Sequence, residues 1–211
     1  MKYPRTVDRF LFALSMQAME EGVRLRLVAT RYVRHPLSGI LMNGCYVESP
    51  RQLVVATGKP YEEWLPVVVH ESGHMDQHSE RSRLFFDLVV PPWQENAALL
   101  LLDAVRHPDS YEEEDVEDFR RRIILAELDA EQRAVRKIEV YNLPIDPAEY
   151  TRRANAYLWA HTMLLETKAW YPEDREPYRL KEVWSQCPDH FENDYYTVPD
   201  AFRAAYLLHC S

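Results

Sequence analysis

"VVVHESGHMDQH", residues 67–78, decides how the rest of the chain is read. Val67, Val68 and Val69 run straight into His70, Glu71 and, one turn later, His74. The valines favour burial, whereas buried imidazoles and carboxylates are costly unless something pairs with them. On a helix the i, i+4 spacing sets both imidazoles on one side, one turn apart. Two nitrogens so placed hold one Zn²⁺ at about 2.0–2.1 Å each. Glu71 adjoins the first of them, too close to coordinate comfortably but well placed to reach a water on the metal, whose pKa falls to about 7. Glu71 would take that water's proton and later hand it to a leaving amine. A surface helix with exposed histidines is the plainer alternative, and the three valines count against it.

A catalytic zinc needs a third protein ligand and one open position. A third histidine six residues after His74 would complete a metzincin pattern, but that position is Glu80, and Gln77 stands where the glycine would be. Asp76 and Glu80 lie near the end of the helix and are expected to be solvated. His78, one turn beyond His74, is expected to be exposed. A better candidate lies in "FRRRIILAELDAEQRAVRKI", residues 119–138. Phe119, Ile123, Ile124, Leu128, Val135 and Ile138 form an apolar stripe, and Glu127 and Glu131 fall on the same side, one turn apart. Carboxylates in such a stripe are expensive unless paired or bound to metal. Ala126, Ala130 and Ala134 allow another helix to approach closely. Glu127 is therefore expected as a ligand, with Glu131 holding a ligand histidine by its far nitrogen. The alternative is a pair of ordinary surface acids near Arg133 and Arg136.

The remaining punctuation gives the layout. Apolar spacing predicts a helix over 7–21, stopped by Gly22. Strands are predicted at 24–33, 40–49 and 51–58, the second carrying the Asn43-Gly44 turn signal. Together they read as a small antiparallel sheet of about three strands before the His70 helix. That helix begins near Tyr61 to Pro66, with its regular part downstream because proline belongs in a first turn. The chain breaks at Pro91-Pro92 and resumes as a helix to about Arg106. Ser110 and Glu113 offer a capping box for a helix over roughly 111–141. Another starts near Pro147, and a last short one spans Pro199 to His209. The fold class is α+β, mainly helical with about six helices, in one domain over 1–211. Residues 1–171 form its core and 172–211 a Pro-rich, aromatic wrapping segment.

Composition narrows the function. There are 25 basic and 34 acidic residues, a net charge of −9, which argues against nucleic acid or an anionic membrane as the main partner. No apolar run spans a bilayer, and the first ten residues lack the apolar core of a secretory signal. Cys45, Cys187 and Cys210 are odd in number and far apart, so free, inert thiols in a reducing cytoplasm are expected.

With these residues in view, the chain resembles gluzincin zinc metallopeptidases, whose third ligand is a glutamate on a later helix. "ELDAEQRAV" (127–135) looks like their E-x-x-A-[N/D/E] segment, with Glu131 where Asp or Asn is usual. "HESGHMDQ" with "ANAYLWAH" is similar to compact metallopeptidase-like proteins of bacteriophages, which would place the protein in a host cytoplasm. The resemblance implies a zincin-like fold, with His70, His74 and Glu127 as zinc ligands, Glu71 as base and Glu131 behind a ligand. It also implies an edge strand on which a peptide or protein substrate pairs. A stabiliser of the developing oxyanion is expected opposite the base. Tyr157 and His161, i and i+4 on the helix after the third-ligand helix, are the two candidates, though tyrosine is often simply core. Zinc-dependent peptide hydrolysis is the expected function. Its rivals are a zinc-containing, non-enzymatic binding or assembly protein, and a hydrolase of non-peptide amides. A fourth protein ligand such as His78 would favour the non-enzymatic rival. The oligomeric state is not set by these features.

Overall fold

The structure, a computed structural model, describes residues 3–36, 39–172 and 174–211. In chain order its elements are α1 (Arg5–Glu20), β1 (Arg24–Val28), β2 (Val33–Arg34), β3 (Leu41–Met42), β4 (Gly44–Val47) and β5 (Gln52–Ala56). Then come α2 (Tyr61–Ser79), α3 (Arg83–Phe86), β6 (Val89–Val90), β7 (Glu95–Asn96) and α4 (Ala97–Arg106). After a 3₁₀ turn at Pro108–Ser110 follow α5 (Glu113–Tyr141), α6 (Pro147–Thr167), α7 (Lys181–Trp184) and α8 (Asp200–His209). Six of these helices have ten residues or more, among the described residues, and α3 and α7 have four each. The class is α+β, mainly helical with small sheets. Two compact units divide the chain, Met1–Ser82 with Ala130–Pro147, and Arg83–Asp129 with Ala148–Ser211.

The first unit holds a three-stranded sheet in the order β1-β5-β4. The expectation of an antiparallel sheet is corrected here: β4 runs antiparallel to β5, but β1 runs parallel to it. The reason lies between Val28 and Gln52, a stretch long enough to return the chain to its starting end, as parallel pairing requires. That stretch holds β4 and a separate hairpin, β2-β3. The predicted strand over 24–33 ends at Val28 for the same reason.

One face of the sheet packs on α2. A Cβ on Gly44 would meet Val67 Cγ1 at 2.7 Å, so only glycine lets the strand approach this closely. Leu53, Val55, Leu65, Val68 and Val69 are fully buried, each contributing about 1.5–3 kcal/mol of apolar burial. α1 adds Val7, Phe10, Leu14 and Ala18 at helical spacing, and Gly22 follows it at φ +68°.

Pro66 corrects a second expectation. It lies inside α2, as its sixth residue, rather than in the first turn. It forfeits one helical bond, to the carbonyl of Glu62, a residue at the exposed start of the helix. The burial of Trp64, Leu65, Val68 and Val69 around it outweighs that loss. At the other predicted cap, α5 starts only at Glu113, and the Glu112 carbonyl takes the first bonds; Ser110 is in the preceding 3₁₀ turn.

In the second unit, α4 begins after the Pro91-Pro92 turn between β6 and β7, with the Asn96 side chain accepting from Ala98 N. Phe119 and Ile123 of α5 pack with Leu100, Leu101 and Leu164. The segment after Tyr171 is laid on α6. The Asn155 amide donates to the carbonyls of Pro188 and His190, and Thr162 donates to that of Tyr195. Trp159, Phe202 and Tyr206 fill the core beneath. Glu173, in the Pro-rich stretch, lies outside the described residues.

Candidate metal centre

The last three turns of α2 carry the centre. α2 meets the C-terminal half of α5 at Gly73, where an added Cβ would lie 2.7 Å from the Ala130 carbonyl oxygen. The buried alanines of α5, Ala130 and Ala134, give the matching smooth surface. This close crossing sets Glu131, the residue after Ala130, beside His70.

His70, Glu71 and His74 present ligand atoms that all lie within 4.8 Å of one another, and this group can hold a metal ion. Their imidazoles stand perpendicular with centroids 4.8 Å apart. His70 Nδ1 is 3.1 Å from Glu131 Oε1, and His74 Nδ1 is 2.9 Å from Gln77 Oε1. The Gln77 oxygen accepts, so His74 Nδ1 carries the proton and Nε2 the lone pair, while His70 Nδ1 faces the Glu131 carboxylate at ion-pair distance. A metal needs one ring nitrogen with a lone pair, and Glu131 and Gln77 are of the type that orients ligand histidines. Glu131 is buried and Gln77 fully so, which makes these partners rigid.

Glu71 is itself buried, and its Oε2 accepts the backbone N–H of Tyr46 at 2.8 Å. Tyr46 is on β4, the sheet edge, and its N–H points away from β5 toward α2. One carboxylate oxygen is thus tied to the strand, which fixes the plane of the group. The neighbouring Cys45 thiol is pushed up to about 12, by burial first and by the Glu71 charge second, so it stays protonated.

His78 and Asp76 correct the expectation that they face solvent. His78 is buried, with Nδ1 2.8 Å from the Tyr46 hydroxyl and Nε2 3.5 Å from Glu48. Asp76 pairs with Lys137 at 2.7 Å and accepts from Gln17. Lys137 also donates to the Ser72 carbonyl and hydroxyl; burial lowers its pKa, against the raising effect of Asp76. Glu80 is exposed and paired with Arg133. α2 ends with its polar residues bonded to α1, β4 and α5, which the helix pattern alone does not show.

Of the other expected site residues, Glu127 precedes Glu131 by one turn on the uninterrupted α5 and is half-buried, and it is not one of the close group of three. Within the second unit the structure sets Glu127 near His161. The charge of Glu127 acts on His161, whose ring lies 4.9 Å from that of Tyr157. His161 Nδ1 donates to the Tyr157 carbonyl at 3.1 Å. Burial holds the His161 pKa below its ordinary value, against Glu127 and the carbonyl. A neutral imidazole with its proton on Nδ1 only accepts at Nε2. Trp170, Tyr171 and Tyr178 continue this aromatic cluster.

Sequence reasoning missed Gln77, Tyr46 and His78 as partners of the centre. Gln77 had a readable signal, being three residues after His74 on one helix face. Tyr46 had none, because its role rests on a backbone N–H and on which strand is the edge.

All three cysteines are free and buried. Among the described residues, no helix is long and apolar enough to cross a membrane. No family model, curated protein or solved structure matches the chain.

Proposed function

We propose that the protein is a zinc-dependent peptidase of gluzincin type on a zincin-like fold. One observation carries the reading: the two imidazoles and the carboxylate of the H-E-x-x-H motif offer ligand atoms within 4.8 Å of one another, with a buried oxygen acceptor facing each Nδ1. Two imidazoles and one carboxylate suit zinc; His70, His74 and Glu127, which shares the Glu131 face of α5, are the proposed ligands, with Glu71 kept as the base. Zinc held there would act as a Lewis acid toward a carbonyl and acidify a nearby water.

The chain's own residues do the rest. Glu71, held by Tyr46 N–H, accepts the water's proton and delivers it to the leaving amine. Glu131 and Gln77 orient His70 and His74. Of the two oxyanion candidates, Tyr157 is the better, because its hydroxyl donates whereas neutral His161 offers only an acceptor. His78, whose recruitment as a fourth ligand would favour a non-enzymatic zinc site, is engaged by Tyr46 and Glu48 instead.

The test is a comparison of new protein N-termini in a bacterial lysate treated with wild type or with Glu71→Gln. Termini produced by wild type alone support a peptidase and report its preference. Identical patterns from both, with zinc bound to both, contradict it in favour of a binding protein.

A further inference from the structure

β1 forms the sheet edge opposite the one that carries Tyr46. Its pairing with β5 determines which of its backbone groups face outward. Arg24 N–H donates to the Arg51 carbonyl at 3.0 Å, and the Val28 carbonyl accepts from Thr57 N–H at 2.7 Å. In this parallel register Arg24, Arg26 and Val28 bond to β5. The N–H and C=O groups of Leu25 and Leu27 therefore point away from the sheet, and no further strand pairs there among the described residues. Leu27 is 41% exposed. Arg24 and Arg26 are exposed and share one face of the strand.

The edge is basic within an acidic protein. Between Gly22 and Lys59 the chain carries Arg24, Arg26, Arg31, Arg34, Arg51 and Lys59 against a single acid, Glu48, while the whole chain is at −9. All five arginines are exposed. Such charges resist pairing with a second copy, which would set arginine against arginine. A polyanion without amides would meet the arginines but leave the outward groups of Leu25 and Leu27 unbonded. An extended acidic peptide satisfies both.

We propose that β1 is a docking edge for an extended acidic peptide segment, which adds as a further strand with its carboxylates on Arg24 and Arg26. Side chains alternate along a strand, so an acid at every second position matches the arginine face. The site is independent of the metal centre and needs no turnover.

The test uses the full chain and a short fluorescent peptide alternating Glu and Val, read by anisotropy at low salt and by amide NMR. Binding is expected with shifts at the Leu25 and Leu27 amides, and Arg24→Glu/Arg26→Glu should weaken it at least about tenfold. A peptide of equal charge with its valines replaced by proline should lose binding, because proline supplies no strand donor. This comparison leaves the protein unaltered and so does not depend on how the variant folds. Equal binding of the proline peptide, unchanged binding by the charge-reversed variant, or preference for a single-stranded oligonucleotide over the acidic peptide would each overturn the proposal.

Discussion

α2 and α6 each carry a buried histidine in an i, i+4 pair, His70 with His74 and Tyr157 with His161, yet their surroundings differ. On α2 the Nδ1 atoms face side chains, Glu131 of α5 at ion-pair distance and Gln77 of the next turn through a hydrogen bond. Both imidazoles belong to a group whose ligand atoms lie within 4.8 Å of one another. On α6 the Nδ1 of His161 is taken by the helix's own carbonyl, and its ring sits among Tyr157 and Trp170. Spacing alone makes the two pairs look alike. What separates them is whether the orienting partner comes from outside the residue's own helix backbone.

The largest effect that would break this contrast is expected at Glu71. Glu71→Gln should keep zinc and lower turnover by about 10²–10⁴-fold, measured on any substrate found by N-terminal mapping. A variant that kept turnover would remove Glu71 from the base role. Glu127→Ala should lose zinc; retained stoichiometric zinc would reassign the third ligand.

A step smaller are the orienting partners. Glu131→Gln and Gln77→Ala should each weaken zinc affinity by about 10–100-fold in competition with a chelator, whereas His161→Gln should leave it unchanged. Equal losses at all three would erase the distinction between the helices.

Gly73→Ala tests the helix crossing that brings Glu131 to His70. Its Cβ would press on the Ala130 backbone, and a stability loss of about 1–3 kcal/mol in urea unfolding is expected. A neutral result would mean that the crossing yields more readily than its spacing implies.

The smallest effect concerns His161. Its pKa is held below 6.5 in the folded protein, so its neutral form contributes full stability above pH 6.5. As pH falls below that value the unfolded chain binds the proton first, and stability is lost toward the lower folded pKa. Thermal midpoints between pH 7 and about 5 should fall more steeply for wild type than for His161→Gln.

The parts of this arrangement that could be read from the sequence share one physical property: they depend on periodicity. The histidine pair, the α5 stripe with Glu131 inside it, the Pro91-Pro92 break and the helices from Pro147 and near Pro199 all rest on local spacing or on proline. What escaped depends on partners distant in the chain. The parallel pairing of β1 with β5 follows from the crossover between them, not from either strand's residues. His78 and Asp76 read as solvent-facing because their partners, Tyr46 and Lys137, come from β4 and α5. The rule that assigns Pro66 to a first turn is local, whereas burial of Trp64 and Leu65 extends the helix ahead of it.

The most direct test of the central claim is a metal titration of the apoprotein, following zinc stoichiometry and the visible spectrum of a cobalt substitute. One tightly bound equivalent is expected in wild type and in Glu71→Gln, with none in His70→Ala or His74→Ala. Failure of the wild type to bind, or equal binding by the histidine variants, would contradict the assignment of His70 and His74 as a metal centre.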